Sequence, residues 1–245
     1  MHPRITRCTV LFGIIAIVLA VPAQGANLLP MSIGSNWEYT GDQDGSWMLE
    51  VTGTAEVIGT TTKAFRYVIN HIGGDEDFYY YNTSDVDGNV YLNGLYSPGD
   101  AAEVAFDPPV LWLPSDPYVG MNYSTETLAY DNLAGEGDGS PVTYTFEVSE
   151  EIPVLIPDDE VTAFGIVALA PLPTGTGAAL PAAPWLSGAG IGADAWRTED
   201  TPFGWFADGK GMVQAFGYGE LWQLTGYTVS AQSTTTWTDV KRLFR

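Results

Sequence analysis

Thirty carboxylates stand against nine Lys and Arg, two His and one Cys in this chain of 245 residues, so the side chains that could do chemistry are almost all acids. A pair of them could hydrolyse a glycoside, one serving as acid and the other as base or nucleophile. With so many acids some pair must lie close by chance, and the abundance selects none. Two clusters have sharper spacing: Asp42-Gln43-Asp44-Gly45 and Asp85-Val86-Asp87-Gly88-Asn89 place carboxylates two apart before Gly. That suits a Ca²⁺-binding turn, because hard cations take several oxygens, although neither cluster has the Glu that closes an EF-hand loop. Asp-Gly is also the commonest hairpin signal. Plain turns are the first reading, with Ca²⁺ held by Asp42, Asp44, Asp85 and Asp87 as the alternative and no other cofactor implied.

Other chemistries meet obstacles. His71 is the one histidine outside the N-terminal leader, and no Gly-x-Ser-x-Gly elbow presents a serine to it. It reads as a strand-end residue before Gly73-Gly74. Gly188-Ala189-Gly190-Ile191-Gly192-Ala193 matches a dinucleotide fingerprint in letters. That chemistry needs a strand before the glycines and a helix after them, whereas Pro181 and Pro184 precede these. There is no P-loop.

The first residues carry Arg4 and Arg7, an apolar run from Val10 to Val21, and small residues at Ala23, Gly25 and Ala26. This is the layout of a secretory signal peptide, and the run falls short of the roughly 20 residues that a span needs. Cleavage is expected between Ala23 and Ala26, removing a helical signal segment of residues 1–25 and leaving no stable membrane span. Cys8 goes with it, so the mature chain has no thiolate for a disulfide or a zinc site. The net charge of -21 argues against nucleic acid, whose phosphates need clustered Lys and Arg. Aromatics at 13% argue against disorder.

The elements that would position any site read as strands. Val142 to Ser149 alternates four apolar with four polar side chains, the pattern of a half-buried strand. Similar runs are Met48 to Val57, Ala64 to Ile72, Phe78 to Tyr81, Val90 to Tyr96, Val161 to Leu169, Met212 to Phe216 and Leu221 to Val229, parted by Gly-rich and Asp-Gly turns. No window sustains helical periodicity over three turns. Short turns without crossover helices predict an all-β antiparallel meander curled into a barrel, half-barrel or sandwich. The expected organisation is a single domain over 27–230, interrupted by a Pro/Gly/Ala-rich insertion at 170–193. A linker and a short basic-aromatic tail follow over 231–245, where Thr238 could cap a terminal helical turn.

Leu29-Pro30-Met31-Ser32-Ile33-Gly34-Ser35-Asn36-Trp37-Glu38-Tyr39 resembles the opening of a loose group of secreted bacterial β-rich proteins of unknown function, which begin with a Pro, a Gly and a Trp-x-Tyr strand in this order. Asp87 to Tyr91, Trp205 to Val213 and Trp237 to Arg245 are similar to later pieces of that group. The resemblance implies an extracytoplasmic antiparallel β fold and brings no catalytic residue.

Trp47, Trp112, Trp185, Trp196, Trp205 and Trp222 are spread along the chain, and Phe78-Tyr79-Tyr80-Tyr81 must present rings on both faces of its strand. Exposed rings beside carboxylates suit a sugar platform or a protein interface. The reading is a non-enzymatic protein, secreted or held in the cell envelope, that binds a protein partner, a glycan or an apolar ligand. The alternative is a carboxylate-dependent, glycosidase-like hydrolase.

Overall fold

The computed structural model describes residues 26–43, 45–71, 74–99, 101–169, 202–217 and 220–230. Their secondary structure is all β: β1 (Asn36–Gly41), β2 (Ser46–Val57), β3 (Thr60–His71), β4 (Gly74–Ser84), β5 (Val90–Ser97), β6 (Ala102–Leu113), β7 (Asn122–Tyr130), β8 (Ser140–Ile156), β9 (Asp159–Ala168), β10 (Gly204–Ala207), β11 (Gly211–Gly217) and β12 (Glu220–Thr228). Each strand pairs with its sequence neighbours, and β1 closes on β12, giving a closed antiparallel barrel. Of the three architectures that the sequence allows, the barrel is the one adopted. The expected signal segment at 1–25, the expected insertion at 170–193 and the expected tail at 231–245 lie outside the described residues.

An up-and-down meander sorts its connections between two rims. The upper rim holds β1–β2, β3–β4, β5–β6, β7–β8 and β11–β12, with the end of β9 and the start of β10; the lower rim holds β4–β5, β6–β7, β8–β9, β10–β11, the entry to β1 and the exit from β12, while the β2–β3 tip folds back along the outer wall to the β7–β8 loop. A barrel of eight strands is filled by ordinary side chains, and a wider one needs larger ones or encloses a cavity. The aromatic content answers that need. Trp37, Tyr39, Trp47, Phe65, Tyr67, Phe78, Tyr80, Phe106, Trp112, Tyr123, Tyr144, Phe146 and Trp222 are all buried in one core. Centroid distances of 4.8 Å (Tyr39–Trp47), 5.8 Å (Trp47–Tyr67), 4.7 Å (Tyr67–Tyr80), 5.2 Å (Tyr80–Trp112) and 6.4 Å (Trp112–Phe203) carry one chain of rings across the interior. These separations and tilts are those that aromatic quadrupoles favour.

The lower rim is plugged. The segment before β1 buries Leu28, Leu29 and Met31. The Ala26 amide donates to the Ser115 carbonyl at 2.7 Å, and the Gly209 amide to the Asn27 carbonyl at 3.0 Å, so this segment crosses from the β6–β7 loop to the β10–β11 turn. β8 also reaches β11 and β12, three and four strands away in the sheet. Val154 and Ile156, near its end, are buried in the same core.

A second, smaller core lies outside the wall. Val57, Ala64, Tyr81 and Ala105 are buried together, with Ala55, Ile58, Tyr79, Tyr96 and Leu133 packed against them. The register between β2 and β3 skips at Val51/Gly53. Such a bulge bends and twists the strand, and beyond it the β2–β3 tip meets the β7–β8 loop, where the Ile58 amide donates to the Leu133 carbonyl at 2.9 Å.

Candidate functional site

The strand alternation that buries Leu49, Phe65, Tyr80 and Leu95 turns the residues beside them outward. Register then lines these up. Glu50 is opposite Arg66, Arg66 opposite Tyr79, Tyr79 opposite Tyr96, and Tyr96 opposite Glu103. A single transverse row, carboxylate, guanidinium, ring, ring, carboxylate, thus crosses β2 to β6 on the outer wall. Four strand spacings make it about 19 Å long.

The row is held from several directions. Tyr79 and Tyr96 are stacked, with centroids 6.0 Å apart and planes at 26°. Arg66 is bidentate on Asp77, with Nε to Oδ1 at 3.1 Å and Nη2 to Oδ2 at 2.7 Å. The Asp77 hydrogen bond is the main cause holding the guanidinium still more firmly protonated, with Tyr79 and Glu50 adding to it. Glu103 accepts the Leu133 amide at 3.2 Å, which ties the far end of the row to the β7–β8 loop. All five side chains are partly exposed. Rings with accessible faces beside fixed polar groups can stack on the apolar face of a sugar ring while bonding its hydroxyls.

The expected metal residues separate. Asp42 is in the β1–β2 turn on the upper rim; Asp85 and Asp87 are in the β4–β5 turn on the lower rim, so the two clusters cannot share an ion. Asp44 lies outside the described residues. Asp85 behaves as a turn cap: Oδ1 accepts the amides of Asp87 and Asn89 at 3.0 Å each, and Oδ2 accepts Asn89 Nδ2 at 2.9 Å and the Tyr91 hydroxyl at 3.0 Å. Desolvation pushes its titration up, but those hydrogen bonds outweigh it and the net shift is downward. Among the described residues no three His, Cys, Asp or Glu side chains group as a metal site.

Among described carboxylates Glu220 is buried, and its Oε2 accepts the Gln43 amide at 3.3 Å. His71 ends β3. Trp47, Trp112, Trp205 and Trp222 are buried, while Trp185, Trp196 and the Gly188–Ala193 fingerprint lie outside the described residues. Of the tetrad Phe78 to Tyr81, Phe78 and Tyr80 enter the main core and Tyr79 and Tyr81 the outer one. Sequence reading missed the row because its five members are far apart in the chain; only register brings them together.

No family model and no curated protein matches the chain. Among solved structures, it is similar to a Parabacteroides distasonis protein provisionally described as a lipoprotein, with 10% identity, 83% of this chain and 99% of that chain covered, and a TM-score of 0.38.

Proposed function

We propose that the protein is an exported, non-enzymatic barrel that binds a glycan on the outer wall across β3 to β5, in the envelope or outside the cell. The leader-like residues 1–25 support export. The observation that carries the binding site is the Tyr79–Tyr96 pair, two stacked rings kept partly exposed between Arg66 and Glu103 while the described tryptophans are buried. A ligand inside the barrel is less well supported, because the inward side chains described pack against one another in one core.

Full-length protein is tested on immobilised oligosaccharides and by calorimetry with those retained. Tyr79→Ala with Tyr96→Ala, both on the outer wall, is expected to lose at least about tenfold in affinity, since one aromatic contact contributes roughly a kcal/mol beyond its area. Retention of no glycan by the wild type, or equal retention by the double variant, overturns the reading.

A further inference from the structure

The exposed large apolar side chains are unevenly placed. Ile33, Val86, Tyr118, Val119 and Leu155 sit on or beside lower-rim connections; of the remaining two, Leu169 is at the upper rim and Leu128 on the wall. Val86 is fully exposed, Leu155 is 78% exposed and Tyr118 63%. Among the described residues these side chains are left largely uncovered, and a turn of the Asp85 type needs no valine at its tip. The turns that carry them are nevertheless fixed. Asp85 locks its own turn with four hydrogen bonds. Asn89 Oδ1 accepts the Ser115 amide at 2.8 Å, joining that turn to the β6–β7 loop. The Gly120 amide donates to the Val148 carbonyl at 2.7 Å, joining the loop to β8.

We propose that this lower rim docks on a zwitterionic lipid bilayer, with Val86, Tyr118, Val119 and Leu155 entering the interfacial zone. The chain outside the fold points the same way. β12 ends at this rim, and the residues beyond it include Trp237, Leu243 and Phe244 with Lys241, Arg242 and Arg245. The aromatic and basic stretch that remains after the leader is removed therefore leaves from the end that carries the apolar tips. Exposed Asp85, Asp87, Asp116, Asp158 and Asp208 stand among the tips. They disfavour a second copy, which would set acidic rim on acidic rim, and they disfavour an anionic surface. A headgroup layer accepts separate Val, Leu and Tyr tips without a matching pocket for each.

The test uses the mature chain from Ala26 onward, which has no cysteine of its own, with one added thiol, Val86→Cys, Tyr118→Cys, Leu155→Cys or, at the opposite rim, Leu169→Cys, each bearing a polarity-sensitive fluorophore. Phosphatidylcholine vesicles are expected to shift emission to the blue and to shield the label from an aqueous quencher at the first three positions and not at 169. Val86→Asp with Tyr118→Ser and Leu155→Ser, all surface changes, is expected to co-sediment at least about tenfold less while keeping its circular dichroism. Equal response at both rims, response at none, or undiminished sedimentation of the triple variant overturns the proposal. So does binding that requires added phosphatidylglycerol, or a blue shift that depends on protein concentration without vesicles, which would identify basic-tail binding and self-association respectively.

Discussion

The hydroxyl of Tyr39 on β1 donates to the main-chain carbonyl of Met212 on β11 at 2.7 Å, a buried bond that reaches past β12 inside the barrel. Burial raises Tyr39 and Tyr67 well above the usual phenol value, and it raises Tyr123 and Tyr144 as well. Tyr81, under the outer core, is pushed up to about 12, first by desolvation and then by Glu103. In the unfolded chain these phenols ionise near about 10. Below that pH both states are protonated and their contribution is at full strength. As pH rises from there through the folded values, only the unfolded chain gives up protons, so stability falls. Absorbance near 295 nm should show the buried phenols ionising in one step together with loss of near-ultraviolet dichroism. Smooth ionisation near pH 10 with the fold intact would contradict this.

Asp85 gives the opposite pH dependence. Its folded value is depressed, so its contribution is present above the unfolded value of about 3.9 and is lost as pH falls through the folded one. Asp85→Asn should lower the melting temperature at pH 7, with the difference from wild type shrinking as pH falls below the unfolded value of about 3.9. Because both oxygens already serve the turn, millimolar Ca²⁺ and Mg²⁺ should raise the melting temperature equally by screening. A Ca²⁺-specific rise abolished by Asp85→Asn with Asp87→Asn would restore the metal reading.

Gly94 admits no side chain: an added Cβ would lie 2.7 Å from the Val104 carbonyl, 3.1 Å from Leu133 Cδ2 and 3.3 Å from Val57 Cγ1. Gly94→Ala should cost about 1–3 kcal/mol by overpacking, measured by urea denaturation. Adding Leu133→Ala should not rescue it, since the nearest atom is backbone. Rescue would show that the outer core, rather than the wall, sets the limit.

Asn82 is fully buried, and its amide has no hydrogen-bond partner among the described residues. A buried polar group in that state costs about 1–3 kcal/mol. Asn82→Leu, of similar volume, should therefore stabilise the barrel by about 1 kcal/mol in denaturant. Destabilisation would mean that the amide holds an interior water or ligand.

What could be read from the chain and what could not divide along physical lines. Strands with a clean alternation, such as β8 around Val142 to Val148, or with runs of β-branched and aromatic residues, such as β2 and β12, announce themselves. β6 does not, because Pro108 and Pro109 interrupt it; it remains a strand by pairing with β5 on both sides of the prolines, while its ladder with β7 is confined to Ala105 to Asp107. β7 hides because its inward positions include Thr127, whose hydroxyl donates to the Pro108 carbonyl at 2.6 Å instead of packing as an apolar group. β10, at four residues, is too short for any period to show. The turn at Asp85 to Asn89 was legible, whereas its attachment to Ser115 was not. The outer row of Glu50, Arg66, Tyr79, Tyr96 and Glu103 depends on four registers, between strands that skip at Val51/Gly53 and Tyr81/Asn82, and a sequence does not state where a bulge falls.

Closure through β1 and β12 has a consequence for how the molecule is made. Asn36 pairs with Thr228, so the first strand to leave the ribosome waits for the last before its second edge is covered. Until then β1 can bond only to β2 and the wall stays open, its ring-lined inner face without the opposite side. Each hairpin can form locally as it emerges, but the final ladder requires the longest loop closure in the molecule, the slow step expected of a sheet dominated by distant contacts. Wherever it folds, the chain can hold no more than an open wall of hairpins until β12 docks, and it becomes a closed object only with that last ladder.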